Sequence, residues 1–446
     1  MPSDIQGSHM SARKVLKYLP ETVRHRIIRS KIDVGFGAPK NIIFKLADSI
    51  DELEQAFHVL HDAYVEQGYM EPHPSGLRVT KYHALPTTAV LIAKDTSTGQ
   101  VIATISVVRN TPLGLPLDAI FPLEDLKKKY RHLAEVSSLA IRKEYRKAPK
   151  DLLWPLLRYF YKYVKDHMRI DAYVIGVNPS WHDLYAGLLG FTKLEGFQAS
   201  SYSFVNNAPV AAYIVDTAEQ EHIFYKLYAH TEDRMNFFKY FTFYKLTGPQ
   251  YNFPKKRYFS IQNTVMTKEY FEYFFIQKTN SLSLLSQEEK EIVQRYYPSQ
   301  EYSPIIFGDD YREIRHLRSE NRFITRLSAQ MMVNGTFENE VEITVVDFSA
   351  RGLKIECNID VPQQVELRLG IGQYDSSYVT AVLRRKSSSS YGLEIIKWDE
   401  AWDHFVTEMN LQFESPMNSE GAKTKDELQE RRLLANTAAA QRRKLA

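Results

Sequence analysis

The pattern of apolar residues changes twice along this 446-residue chain, and the changes limit the folds it can adopt. In residues 41–206, strand-like segments come first and then alternate with helical ones, which is typical of an α+β domain. Residues 207–300 are mostly helical and rich in Phe and Tyr. From about Tyr311, short alternating segments continue up to "YGLEIIKW", and they predict a small β-barrel or sandwich.

The remaining segments are predicted from composition. Residues 1–40 form a basic extension, and "GSHM" within residues 1–10 resembles a remnant of recombinant expression. Residues 301–317 are predicted to be a linker, and the barrel is assigned to residues 318–412. Residues 413–446 are polar, charged and rich in alanine, which predicts a mobile tail.

Charge and cysteine content exclude several classes of protein. A net charge of +3 is too small for a protein that binds nucleic acid polymers over its whole surface. The single cysteine, Cys357, excludes an internal disulfide and a cysteine-based zinc site, and it favours a cytoplasmic location. No metal site is predicted. No apolar run reaches the ~18 residues of a membrane span, and the N-terminus lacks the apolar core of a secretory signal.

Three segments occur in the order found in GNAT-type acyltransferases, and the chain resembles that family over residues 41–206. They are "TAVLIAKDTSTGQVIATISVVRN", "LAEVSSLAIRKEYRK" and "YVIGVNPSWHDLYAGLLGFTKL". The turn before the central helix departs from the family, because "YRKAPKDLL" has Pro149 and no glycine. Proline has no N–H to donate, so the usual cradle for the pyrophosphate of acetyl-coenzyme A is not expected.

This departure favours a donor carried on the phosphopantetheine arm of an acyl carrier protein, which has a single phosphate. Arg146, Lys147 and Lys150 are the expected contacts for that phosphate or for the acidic surface of the carrier. The alternative for each of them is a solvated residue at the start of a helix.

A narrower resemblance covers residues 41–300. "HDAYVEQGYME", "LPTTAVLIA", "NTPLGLPLDAIF", "LAEVSSLAI" and "MTKEYFEYFFIQKTNSLSLLSQEEKEIVQRYYP" resemble, in that order, the FeeM-type N-acyl amino acid synthases. These enzymes are distant relatives of the acyl-homoserine-lactone synthases. The resemblance implies transfer of a long acyl group from an acyl carrier protein to the amino group of an amino acid.

Such a transfer needs a base for the amine and donors for the oxyanion. Glu135 is the candidate base, because its apolar neighbours Leu133 and Val136 predict a desolvated carboxyl with a raised pKa. The alternative is a structural buried carboxylate. Ser137 shares the strand face of Glu135 and is the candidate for orienting substrate or water.

Two further positions bear on the substrate. The lactone synthases have an arginine where this chain has Ser138, which argues against a lactone product. Recognition of the amino acid's carboxylate is unassigned, with Arg78 as a weak candidate. The aromatic stretch 234–259 has three readings: core, acyl groove, or a surface that places Lys255–Arg257 against anionic lipid.

A second motif precedes and includes the stretch "DFSARG". Arg318 and Arg322 stand four residues apart, and Asp347, Ser349 and Gly352 follow about two dozen residues later. This pair of motifs, with "YGLEI" beyond it, resembles a PilZ domain, the bacterial receptor for cyclic di-GMP. The resemblance implies that the five residues bind this nucleotide.

The chemistry agrees with that implication. Arginine forks bind phosphate oxygens and the O6/N7 edge of guanine in bidentate fashion. Asp347 can accept from the guanine N1 and N2 edge, and Gly352 allows close approach of the backbone. Arg322 and Arg326 are also four residues apart and form an alternative register for the first motif.

Together the motifs predict an N-acyl amino acid synthase under cyclic di-GMP control. Ligand binding is expected to reorder residues 301–322 and shift the catalytic domain or its helical annex. Two alternatives are a non-catalytic, nucleotide-dependent adaptor at the membrane and a lactone-type signal synthase.

Overall fold

The computed structural model describes most of the chain: residues 18–35, 37–146, 151–246, 248–254, 267–297, 302–308, 321–333, 336–372, 375–387 and 390–414. The chain forms two compact units, each composed of three separate segments of the sequence. The first comprises Met1–Lys45, His58–Gly76 and Leu91–Asn252, and the second comprises Leu46–Phe57, Leu77–Val90 and Phe253–Ala446.

A mixed eight-stranded sheet lies mainly in the first unit. Its strands are β1 (Ile42–Leu46), β2 (Thr88–Asp95), β3 (Gln100–Arg109), β4 (Leu133–Ile141), β5 (Ala172–Val177), β6 (Thr192–Tyr202), β7 (Ala208–Asp216) and β8 (Tyr251–Asn252). In space they follow the order β6-β7-β5-β4-β3-β2-β1-β8. The pairs β4–β5 and β1–β8 are parallel, whereas β3–β4, β5–β7 and β6–β7 are antiparallel. The strand β7 lies beyond residue 206, where the sequence analysis ended the core.

Five helices of the described residues precede these strands or lie between them in sequence. They are α1 (Glu21–Arg29), α2 (Ile50–Glu66), α3 (Glu124–Lys129), α4 (Leu153–Lys162) and α5 (Thr217–Tyr228). The apolar side chains of α2 at helical spacing, Leu53, Phe57 and Leu60, are buried, as the periodicity predicts. Short 3₁₀- and π-helical turns complete the predicted helices after Asn178 and after α4.

The second unit begins its C-terminal part with a helical annex, residues 267–308. It contains α6 (Lys268–Phe271), α7 (Gln287–Tyr296) and α8 (Ser303–Phe307). The predicted capping box of α7 is confirmed, because Ser286 Oγ accepts from Glu289 N at 3.2 Å and Glu289 Oε2 accepts from Ser286 N at 2.9 Å. Many of the annex aromatics are core residues, including Phe271 and Phe274.

A closed six-stranded barrel follows. Its strands are β9 (Phe323–Val333), β10 (Thr336–Ser349), β11 (Gly352–Glu356), β12 (Gln364–Gly370), β13 (Ser376–Lys386) and β14 (Tyr391–Trp398), in the order β10-β11-β14-β13-β12-β9. Closure removes the unpaired edges of a sheet. The helix α9 (Glu400–Glu414) covers the barrel core, where Phe405 and Trp402 pack on Phe348 at ring distances of 5.0 and 5.5 Å.

Several predictions concern residues outside those that the structure describes. They include Lys147, Lys150, Lys255–Arg257, Arg318 and the tail from residue 415. Within the described residues, no helix combines the length and apolar character needed to cross a membrane.

Candidate functional site

The central strands β4 and β5 separate after a short stretch of pairing. They pair over three positions, from Leu133 opposite Ala172 to Glu135 opposite Val174. On its other side, β4 stays paired with β3 up to Ile141. The sheet therefore opens just after Glu135, and the β5-facing backbone of the rest of β4 lines the opening.

A β-bulge interrupts β4 within this opening. Ser137 lies opposite Ser106, but Ala140 lies opposite Thr104, so β4 contains one extra residue. Ser138 has a left-handed φ of 60°, which is rare for a residue with a side chain. The bulge redirects the backbone N–H groups of β4 where the neighbouring strand has moved away.

Glu135 is a buried carboxyl at the start of the opening, with 3% of its surface exposed. Its Oε2 accepts a hydrogen bond from Leu117 N at 2.8 Å. Burial is the main cause that raises the pKa of Glu135 to about 8; the hydrogen bond from the Leu117 N–H opposes this shift, and the nearby Asp118 carboxylate adds a smaller contribution to it. The desolvated and titratable carboxyl predicted from the apolar neighbours is therefore present.

The donor to Glu135 belongs to a tight turn, Pro116–Ala119. Tyr202 on β6 holds this turn by donating its hydroxyl hydrogen to Pro116 O at 2.8 Å. The turn approaches β5 so closely that a Cβ on Gly176 would lie 2.6 Å from Leu117 Cδ2. A side chain at position 176 would therefore displace the side chain of Leu117, the residue whose N–H holds Glu135.

Asp118, the other acidic group near Glu135, is already engaged. Its Oδ2 accepts from Leu115 N at 2.7 Å and from Lys127 Nζ at 2.6 Å. These contacts hold the turn against α3 and partly neutralise the Asp118 charge that acts on Glu135.

Ser137 lies on the same strand face as Glu135, because residues 135–137 are regularly paired with β3. Its Oγ is 3.2 Å from Ser138 Oγ, and its side chain is half-buried. The two hydroxyls therefore lie within the bulge, next to the opening of the sheet.

Arg146, one of the predicted phosphate contacts, takes part in an ion pair. Its Nη1 donates to Glu66 Oε2 at 2.7 Å, its Nε donates to Ile141 O at 2.8 Å, and Lys143 Nζ lies 3.1 Å from Glu66 Oε1. The hydrogen bond from Arg146 lowers the pKa of Glu66. A donor phosphate at Arg146 would have to compete with this carboxylate.

Arg78 belongs to the second unit and lies beside a buried histidine. Its backbone N donates to Phe57 O at 3.2 Å. Burial lowers the pKa of His83 to about 3, and the positive charge of Arg78 adds to this effect. His83 is therefore neutral at physiological pH.

The residues of "DFSARG" meet Arg322 at one end of the barrel. Arg322 Nη1 donates to Asp347 Oδ1 at 2.5 Å. Ser349 and Gly352 face each other as the last pair of the β10–β11 hairpin. A Cβ on Gly352 would lie 2.8 Å from Arg322 Nη2 and 3.1 Å from Ser349 Oγ, so these four predicted residues form one cluster.

The alternative arginine register points elsewhere. Arg326 lies within β9, and its Nη2 is 3.5 Å from Glu356 Oε2 on β11. Arg322 precedes β9 and reaches Asp347 instead. The structure thus brings Arg322, and not Arg326, to the DFSARG residues.

Sequence reasoning missed the turn that supplies Leu117 N and the close approach at Gly176. The segment "NTPLGLPLDAIF" carried a family resemblance but no structural role. The signal within it was Pro116 at the start of a tight turn followed by Asp118, an acceptor for backbone N–H groups.

Comparison with known proteins finds a similar family over part of the chain. Residues 55–216 match the family model "N-acyl amino acid synthase FeeM", which spans less than half of the chain. The match relates this segment to an N-acyltransferase family. No curated protein matches this sequence.

Solved structures with a similar fold include FeeM, an N-acyl amino acid synthase from uncultured soil microbes, at 23% identity and a TM-score of 0.34, covering 41% of this chain and 93% of that one. The CoA-dependent acyl-homoserine lactone synthase BjaI has 16% identity, a TM-score of 0.32, and coverage of 49% and 97%. The ribosomal-protein-S5-alanine acetyltransferase from Vibrio fischeri has 15% identity, a TM-score of 0.29, and coverage of 42% and 99%. Identities this low concern the fold alone.

Proposed function

We propose that this chain transfers a long acyl group from an acyl carrier protein to the amino group of an amino acid, with Glu135 as the general base. The observation that carries the proposal is a buried carboxyl of raised pKa at the point where β4 and β5 separate. The match of residues 55–216 to the N-acyl amino acid synthase model supports the reaction class.

The reaction proceeds through loss of a proton from the acceptor, attack on the thioester and departure of a thiolate. The ammonium group of the acceptor loses a proton to Glu135, directly or through water, and the free amine attacks the thioester carbonyl. A C–N bond forms, the C–S bond breaks, and the phosphopantetheine sulfur leaves as a thiolate that takes up a proton. The pKa of Glu135, about 8, is much nearer to that of an ammonium group than the ordinary carboxyl value of 4.5 is, so burial lowers the free-energy cost of the proton transfer.

The bulge of β4 is our candidate for the oxyanion site. Backbone N–H groups need to point at the carbonyl oxygen from a fixed position, and the strand beside Ser138 supplies them where β5 has diverged. Ser137 and Ser138 add hydroxyls at the same place. We assign Ser137 to orienting the acceptor or a water molecule.

Mass spectrometry after incubation with long-chain acyl carrier protein and a mixture of amino acids tests the activity. We expect N-acylated amino acids from the native chain and a loss of at least ~100-fold in rate for Glu135→Gln. Glu195→Gln is the matched control, because Glu195 is an exposed carboxylate on β6.

Parallel reactions identify the donor and the product class. Acyl-coenzyme A in place of the acyl carrier protein should give slower turnover. Supplying S-adenosylmethionine as the acceptor should give no lactone. No acylated product from any amino acid would contradict the proposed enzyme and favour the adaptor alternative.

The barrel is proposed to bind cyclic di-GMP through Arg322, Asp347, Ser349 and Gly352, with Arg318 as the second arginine. The cluster of the first four supports this part of the proposal. The pair between Arg322 and Asp347 holds the guanidinium beside Gly352, where only a residue without a side chain leaves room. A ligand phosphate would draw the guanidinium away and free Asp347 to accept from a guanine edge.

Calorimetry with matched variants tests the nucleotide site. Arg322→Ala should weaken cyclic di-GMP binding by at least about tenfold, since a bidentate arginine contact is worth ~1–3 kcal/mol. Arg368→Ala is the control, because Arg368 is an exposed arginine on β12, opposite Gln330 and Tyr378 and not opposite the cluster. Equal affinities for the two variants would remove Arg322 from the site.

Regulation is proposed to pass through the annex. The helix α7 contacts β9, the strand that Arg322 precedes. On the other side of α7, Glu289 Oε1 lies 2.5 Å from Lys81 Nζ, within the same unit. Comparing turnover with and without cyclic di-GMP tests this step, and unchanged turnover despite tight binding would contradict it.

A further inference from the structure

A cluster of metal-binding side chains joins α1 to the turn Asp183–Leu188. Glu21 and His25 are one helical turn apart on α1, and His182 immediately precedes the turn. Glu21 Oε1, His25 Nε2 and His182 Nε2 converge, so that one ligand atom of each residue lies within 4.8 Å of the others. The acyl-transfer proposal uses none of these residues.

The distances within the cluster are close to those of a metal site. His182 Nε2 lies 3.1 Å and His25 Nε2 lies 3.9 Å from Glu21 Oε1. Tetrahedral zinc with bonds of ~2.0–2.1 Å separates neighbouring ligand atoms by about 3.3 Å. The three atoms all lie within 4.8 Å of one another, so side-chain movements of up to about 1.5 Å would bring them to this separation around one ion.

Both imidazoles are held by contacts outside the cluster. His182 Nδ1 is 3.0 Å from the Tyr213 hydroxyl, an arrangement that orients the ring and directs Nε2 towards Glu21. The His25 ring packs against Gly187, where a Cβ would lie 2.6 Å from His25 Cδ2.

The charges around the cluster also suit a cation. Asp183 Oδ1 lies 3.1 Å from His25 Nε2 and accepts from Arg24 Nε at 2.7 Å. Because Arg24 already occupies that oxygen, three protein ligands and one water molecule are the simplest set. Two imidazoles and one carboxylate are a common ligand set for zinc.

We propose that Glu21, His25 and His182 bind a zinc ion and that this ion fastens α1 to the Asp183–Leu188 turn. The alternative is a metal-free network in which His182 donates its Nε2 hydrogen to Glu21 Oε1 and His25 donates its Nε2 hydrogen to Asp183 Oδ1. The two arrangements differ in whether the nitrogens carry hydrogens or a metal.

Zinc titration of the full chain after treatment with a chelator tests the proposal. One equivalent should bind with micromolar or tighter affinity, raise the melting temperature, and give a tetrahedral visible spectrum when cobalt(II) replaces zinc. Glu21→Gln and His182→Gln should each weaken zinc binding by at least about tenfold. His222→Gln, which changes an exposed histidine on α5, should leave the affinity unchanged.

Either of two results would overturn the proposal: zinc affinity weaker than about 1 mM, or equal affinity in the native chain and the Glu21→Gln variant. The glutamine at position 21 keeps the size of an exposed side chain, so this variant stays interpretable if His182→Gln fails to fold. Acyl transfer is measured separately, because its absence would leave zinc binding unaffected.

Discussion

Changing Glu135 to Gln is expected to affect both catalysis and the pH dependence of stability. The carboxyl has an ordinary pKa of 4.5 in the unfolded chain and a pKa of about 8 in the folded one. This difference, about 3.5 pH units at 1.36 kcal/mol per unit, corresponds to up to ~5 kcal/mol between the two ionisation states. The amide of glutamine keeps the shape of the side chain and removes the titration.

The direction in which stability changes with pH follows from proton uptake by Glu135. Between pH 4.5 and about 8 the folded state holds a proton on Glu135 that the unfolded state has lost. The contribution of this carboxyl to stability is therefore fully present below pH 4.5 and is lost as the pH rises towards 8. Glu135→Gln should thus gain stability relative to the native chain as the pH is raised from 5 to 9.

Urea unfolding at pH 5, 7 and 9 measures this gain, with Glu195→Gln as the control. In the acyl-transfer assay, kcat/KM of the native chain should rise with pH to a midpoint near 8, because the base acts in its ionised form. Glu135→Gln should lose at least ~100-fold in rate at pH 8 and above, and the difference should shrink at lower pH as Glu135 of the native chain becomes protonated. Native activity in this variant, or a stability difference that does not change with pH, would refute the reasoning.

Three further predictions concern the turn, the annex and the barrel. Gly176→Ala should displace the Leu117 side chain and weaken the hydrogen bond from Leu117 N to Glu135. Because this hydrogen bond lowers the pKa of Glu135, the midpoint of the pH–rate profile should move above 8. An unchanged midpoint would contradict this prediction. Ser286→Ala should cost about 1 kcal/mol in urea unfolding through loss of the α7 cap, and Ser286→Thr should retain most of that stability. Trp402→Ala should destabilise the barrel by about 3–5 kcal/mol, because the variant loses a fully buried indole and its hydrogen bond to the carbonyl oxygen of Ala350. A melting temperature equal to that of the native chain would contradict this prediction.

The prediction of Glu135 as a buried and titratable carboxyl rested on local information. Its strand, β4, was readable from the apolar run around it, and its neighbours predicted desolvation. The hydrogen bond from Leu117 N and the close approach of the Leu117 side chain to Gly176 could not be predicted from the sequence. Both depend on how three separate segments pack, and no periodicity within one segment encodes that packing.

For the nucleotide motif, too, the sequence predicted the residues and the structure decided how they are arranged. Arg322, Asp347, Ser349 and Gly352 were selected by spacing, and the structure brings them together because the β10–β11 hairpin and the start of β9 are adjacent in a closed barrel. The choice between Arg322 and Arg326 needed the barrel itself. Arg326 lies within β9, and its side chain reaches a different carboxylate, Glu356 on β11.

The sequence by itself determined the order of the elements, with an α+β core before a β-rich part. It also determined the residue types at both candidate sites. Both could be predicted because the periods of helices and strands and the chemistry of turns act over a few residues. Only the tertiary structure decided where β4 and β5 part, which backbone N–H meets Glu135, and that Glu21 and His25 converge with His182 from more than 150 positions away. These features arise from contacts between distant segments, whose free energy depends on the packing of the entire unit.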